Sequence, residues 1–163
     1  MKPEKQSEKA PTTVELAISA YLPDDYIEQS TFKMEMYRRL ADAKTVEEID
    51  EVDEELLDRF GELPLPARNL LRIASLRVTA GSLGIKRIVQ TGKEIEIEAA
   101  GDFPLKGEKL MLLAQEFPRR LSFSTAGGLV IKLKVLEQPR DGLLEVLERL
   151  LNTMKYLASE KTG

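Results

Sequence analysis

Residues 66 to 83 read as one helix with two apolar sides. Ala67, Leu70, Ala74 and Val78 recur at three- and four-residue spacing along one side, and Ile73, Leu76, Ala80 and Leu83 along the other. A surface helix needs cover on one stripe only, so this one is expected at the buried centre of the domain. Pro64 and Pro66 suit its first turn, where no backbone N–H is needed and proline costs nothing. The segment before it is its opposite. Thr45-Val46-Glu47-Glu48 forms a capping box, and the helix it opens carries one apolar stripe of Ile49, Val52, Leu56, Leu57 and Phe60. Gly61 can take up the left-handed conformation that ends it.

Around these two helices the apolar period changes several times. Val14, Leu16, Ile18 and Ala20 alternate with Glu15, Ala17 and Ser19, as in a half-buried strand that Pro23-Asp24-Asp25 stops. Phe32, Met36, Tyr37, Leu40 and Ala41 line a first helix, with Glu35 and Arg39 expected to pair at i,i+4. After Gly84, Ile85–Gln90 and Glu94–Ala99 flank Thr91-Gly92-Lys93 as a hairpin with Ile95 and Ile97 inward. A short helix spans Glu108–Phe117. A second hairpin then turns at Gly127-Gly128, with Leu121, Phe123, Ile131 and Leu133 expected in the core and Lys132 and Lys134 in water. Asp141 is expected to cap a last helix striped by Leu143, Leu147, Leu150, Met154 and Leu157.

The fold class this predicts is α+β: three N-terminal helices and two further helices packed on an antiparallel or mixed sheet, built from an N-terminal strand and two hairpins. Residues 1–12, polar and proline-flanked, read as a disordered linker or tail. Residues 13–163 read as a single domain.

The chain of 163 residues has neither cysteine nor histidine. Disulfides, thiolate nucleophiles, Cys- or His-based metal sites and histidine acid–base catalysis are excluded together. No phosphate-binding glycine loop or nucleophile elbow is present. Gly127-Gly128 suits a turn, and Asp24-Asp25 suits a turn and helix start. No cofactor and no metal are therefore expected, and no ATPase, nuclease or metal-dependent activity. No apolar run approaches the ~20 residues of a membrane span and no signal peptide is visible, so a cytoplasmic protein is expected; a monomer is expected as well.

The formal net charge of −4 conceals an asymmetry. Residues 13–62 carry 5 basic and 15 acidic side chains, whereas residues 63–163 carry 16 basic and 11 acidic. Most of the excess acid sits in the one-sided helix, where only Arg59 offsets eight acids between positions 45 and 60. Glu47, Glu51, Glu54, Glu55 and Asp58 lie opposite the apolar stripe. Like-charged i,i+4 pairs at 47/51, 50/54, 51/55 and 54/58 oppose the helix by roughly 1–2 kcal/mol in all. A solubilising face normally mixes signs. One-sided acid is better explained as a docking face for basic protein groups, and Glu51, Glu54, Glu55, Asp58 and Arg59 are its candidate residues. Asp53 falls among the apolar positions and is expected to need an internal partner. The alternative is a nucleic-acid surface built from Lys86-Arg87, Arg119-Arg120, Lys132 and Lys134, which are dilute and lack interleaved aromatic rings.

Three blocks carry a resemblance: A-Y-L-P-D-D-Y-I (20–27), K-M-E-M-Y-R-R-L (33–40) and E-E-L-L-D-R-F-G-E-L-P-L-P-A-R-N-L-L (54–71). Together with A-x-x-L-G-I-x-x-I (80–88), they resemble the C-terminal domain of the bacterial transcription-repair coupling factor, over about 14–157. Gln29-Ser30-Thr31-Phe32 departs from the charged helix start of that family. The resemblance implies a parent protein that is an ATP-driven DNA translocase, displacing stalled RNA polymerase and recruiting nucleotide excision repair through UvrA. The helicase motifs are absent from this stretch. It implies for the domain itself a regulatory role, in which it docks on the parent's own N-terminal UvrB-like module and masks the UvrA-binding surface. By position, Glu55, Asp58 and Arg59 would form that lock.

Overall fold

The helix expected at the centre, α3 (Leu65–Ser82), divides its burial end to end rather than side to side. Its N-terminal half gives Ala67, Leu71 and Ala74 to one core, and its C-terminal half gives Leu76 and Ala80 to another. The computed structural model describes residues 11–136 and 142–160. The first core is helical: α1 (Ser30–Asp42) supplies Met36 and Leu40, and α2 (Val46–Phe60) supplies Ile49, Val52 and Leu56. Leu22 and Ile27, from the segment leading into α1, and Leu63, just before α3, complete it.

The second core lies between a five-stranded sheet and α5 (Leu143–Ser159). The sheet comprises β1 (Thr13–Glu15), β2 (Ile85–Thr91), β3 (Glu94–Ala99), β4 (Leu121–Ser124) and β5 (Val130–Lys134), in the order β1-β2-β3-β5-β4. Only β1 runs parallel to its neighbour, so the sheet is mixed and the class is α+β, as expected. Ile88, Ile95, Ile97, Ile131 and Leu133 face inward from the three central strands. Leu147, Leu150, Met154 and Leu157 meet them from α5, and α4 (Glu108–Glu116) adds Leu113 beside Phe117.

Three expectations change. The alternation of burial does run from Val14 to Ala20, but backbone pairing to β2 stops at Glu15. Thr12, read as tail, is buried, and its hydroxyl donates to the Ile85 carbonyl at 2.7 Å. Phe123 pairs with Ile131 on the inner face yet remains 37% exposed, because β4 is an edge strand with a neighbour on one side only. Asp141 lies outside the described residues, and Gly142 holds the N-cap position of α5.

Gly84 joins the two halves. It has φ +79°, and a Cβ there would come within 2.9 Å of Asp102 Oδ1 and 3.2 Å of the Phe103 backbone. Its carbonyl accepts from Ala100 N–H at 2.7 Å, closing the turn between α3 and β2 against the end of β3.

Candidate protein-docking surface

The acidic helix is held firmly at both ends. At its start the Thr45 hydroxyl accepts from Glu48 N–H at 3.2 Å. The Glu48 carboxylate in turn accepts from the backbone N–H groups of Lys44 (2.6 Å) and Thr45 (3.2 Å). These bonds, that from Lys44 foremost, hold the Glu48 carboxyl below its ordinary range. At its end Gly61 takes φ +85°, and the Tyr26 hydroxyl donates to the Gly61 carbonyl at 2.8 Å, with the Leu56 carbonyl at 3.2 Å. The Phe60 ring packs against Tyr26 and Phe32, with centroids 5.6 and 5.2 Å apart. A helix fixed in this way presents its outer side chains in one geometry.

Of the five candidates, the structure separates three from two. Glu51, Glu54 and Asp58 are exposed and make no ion pair among the described residues. At spacings of three and four residues they form one ridge. Glu55 is instead taken up within the domain: Arg39 Nη1 of α1 lies 2.7 Å from its Oε1. The pair leaves each side chain under a third exposed and, through the Arg39 hydrogen bond first, lowers the Glu55 pKa. The expected Glu35–Arg39 pair is therefore replaced by one that crosses between helices. Arg59 is likewise engaged, its guanidinium 5.0 Å over the Phe32 ring and 3.8 Å from Glu55.

Two positions on this helix differ from expectation. Leu57, assigned to the apolar stripe, is 54% exposed and lines a surface groove of about 740 Å³ together with Arg39 and the four candidate acids. Asp53, expected to need an internal partner, is exposed at the margin of the stripe. Burial first, and then the Asp53 charge, raise the pKa of the Tyr26 phenol. Sequence reasoning had no signal for Arg39 as part of this surface, since its role depends on how α1 crosses α2.

Among the described residues, the basic strand positions of the second half form no comparable patch. Lys132 and Lys134 lie on the outer face of the sheet, directly opposite Glu96 and Glu94 of β3. Lys86 and Arg87 both reach Glu98, at 3.3 and 3.9 Å. These four basic positions are thus each met by an acid, and the Arg120 guanidinium donates to the Lys134 carbonyl at 3.0 and 3.2 Å, which suits a solvated sheet face better than a phosphate track. Among the described residues there is no group of three potential metal ligands, and no helix is long and apolar enough to cross a membrane.

The family described as TRCF domain matches residues 16–110, more than half of the chain. This protein belongs to the TRCF domain family. Among curated relatives, the transcription-repair-coupling factor of Escherichia coli (strain K12) is 43% identical over 108 residues, 66% of this chain and 9% of that protein. That of Bacillus subtilis (strain 168) is 28% identical over 161 residues, 96% of this chain and 13% of that protein. The chain thus spans only about a tenth of the length of these relatives. The fold of this TRCF domain is shared with a crystal structure of the C-terminal domain of transcription-repair coupling factor. The TM-score is 0.78 at 24% identity, covering 94% of this chain and 98% of that one. The family match ends at Leu110, so α5 and the second hairpin are matched by the fold and by the longer relatives.

Proposed function

We propose that this TRCF domain is a regulatory docking module of a transcription-repair coupling factor. In this reading the acidic ridge of α2 binds a basic surface on the N-terminal UvrB-like module of the same protein. It thereby covers the UvrA-binding surface until the parent, an ATP-dependent DNA translocase, engages a stalled RNA polymerase. One observation carries the reading: Glu51, Glu54 and Asp58 project from a helix fixed at both ends and make no ion pair among the described residues, the nearby Arg39 being paired with Glu55. Such a ridge costs helix stability through like-charge repulsion and is relieved by an external cation. Glu55 and Arg59 support it from within, since Arg39 and Phe32 fix where they stand.

The test is Glu51→Lys/Glu54→Lys/Asp58→Lys in the full-length protein. Each rim pair contributes about 0–1 kcal/mol, and reversal adds repulsion, so loss of three should weaken docking at least tenfold, about 1.4 kcal/mol. UvrA should then bind the full-length variant without polymerase, while wild-type docking should weaken with salt. A folded variant whose UvrA site stays hidden would place the lock elsewhere.

A further inference from the structure

A second surface lies between α4 and α5 and shares no lining residue with the acidic ridge. The exposed side of α5, with Glu160 just past its end, lines a groove of about 770 Å³ from Glu145 onward at helical spacing, which corresponds to roughly 20 Å of helix. Leu112 of α4 and Tyr156 and Leu157 of α5 give it an apolar floor. Leu112 is 43% and Tyr156 63% exposed, a cost that neither helix recovers inside the domain. Its charged lining is four glutamates and one arginine. Arg149 is engaged, its guanidinium 4.8 Å over the Phe117 ring. Arg72 of α3 pairs with Glu148 at 2.7 Å and Glu145 at 3.3 Å, which neutralises one end. Glu116 and Glu160 form no ion pair among the described residues; the Lys109 ammonium donates to the Leu157 and Glu160 carbonyls at 2.7 and 2.8 Å, so four glutamates stand against Arg72, Arg149 and Lys109 and the rim keeps a small acidic excess.

We infer that this groove is a second protein-docking site, which takes an amphipathic helix of about 15 residues with an apolar ridge and flanking lysine or arginine. The shape argues for a helix, because a wall that repeats every three to four residues accepts ridges of the same period. The charge argues for a basic one: Leu112 and Tyr156 take up the ridge, while Glu116 and Glu160 receive the cations. The site is independent of the α2 ridge. Both helices pack on α3 through different residues, α5 through the Glu148–Arg72 pair and α2 through the helical core, so both surfaces can be occupied together.

The experiment is an NMR titration of the isotope-labelled chain with an amidated leucine–lysine helical peptide of that length, and with its leucine–glutamate counterpart. Shifts should concentrate at Leu112, Asn152 and Tyr156. Leu112→Ser/Tyr156→Ala, both at exposed positions, should weaken binding at least tenfold, and Glu116→Lys/Glu160→Lys several-fold. The Glu51→Lys/Glu54→Lys/Asp58→Lys variant should retain it. The inference is overturned if no binding occurs, if the leucine–glutamate peptide binds equally, or if only the α2 variant abolishes the shifts. Groove shifts that follow protein concentration without peptide would also overturn it, in favour of a second copy as occupant.

Discussion

Glu55 and Asp58 look equivalent on a helical wheel, and charge reversal should separate them. Arg39 and Glu55 meet at 2.7 Å with 28% and 31% of their side chains exposed, between the surface and the interior. At about 4 Å between charge centres, the raw attraction is roughly 1 kcal/mol in water and 4 kcal/mol at an effective dielectric of 20. Desolvation and the ordering of two long side chains remove most of it, leaving about 1 kcal/mol net. Glu55→Gln should lose about that amount. Glu55→Lys should lose about 2 kcal/mol, because the attraction becomes repulsion, with a few tenths returned by relief of the Glu51/Glu55 contact. Asp58 makes no ion pair among the described residues, so Asp58→Lys should stay within about 0.5 kcal/mol of wild type. Urea unfolding followed by circular dichroism, at constant m-value, reads these differences. A double-mutant cycle with Arg39→Met and Glu55→Gln should return a coupling near 1 kcal/mol. Equal costs for Glu55→Lys and Asp58→Lys, or a coupling of zero, would refute the assignment of Glu55 to the domain's own stability.

Three further outcomes are expected. Phe123→Ala should cost about 1–2 kcal/mol, because the ring keeps a third of its surface in water, whereas Leu133→Ala, fully buried, should cost about 2–5 kcal/mol by the same denaturation assay. Gly84→Ala should cost more than about 1 kcal/mol, since the position combines positive φ with a Cβ contact 2.9 Å from Asp102; a neutral effect on the thermal midpoint would show that the turn relaxes freely. The lowered Glu55 pKa makes the Arg39 pair stabilising above the unfolded carboxylate value, about 4.3, and the contribution is lost as pH falls through the folded value. The stability gap between wild type and Arg39→Met should therefore be constant from about pH 5 to 8 and shrink below about pH 4, which urea titrations at two pH values would measure.

Local chemistry was legible from the residues alone. The Thr45–Glu48 capping box, the proline start of α3, the positive φ at Gly61 and the inward Ile95 and Ile97 each depend on neighbours within a few positions. So did the excess of acid on α2, because a helix sets its own faces. The direction of the sheet and the end-to-end split of α3 did not follow. Val14 can pair parallel or antiparallel with equal local propriety, and only its packing beside β2 decides. The docking surface divides along the same line. Sequence determined that Glu51, Glu54, Glu55 and Asp58 share one side of a helix. Tertiary structure decided that Arg39 takes Glu55 out of that set and that Leu57 joins it. The reason is range: a side chain's helical face is fixed by a 3.6-residue period, but its ionic partner is fixed by which other helix crosses within a few ångströms.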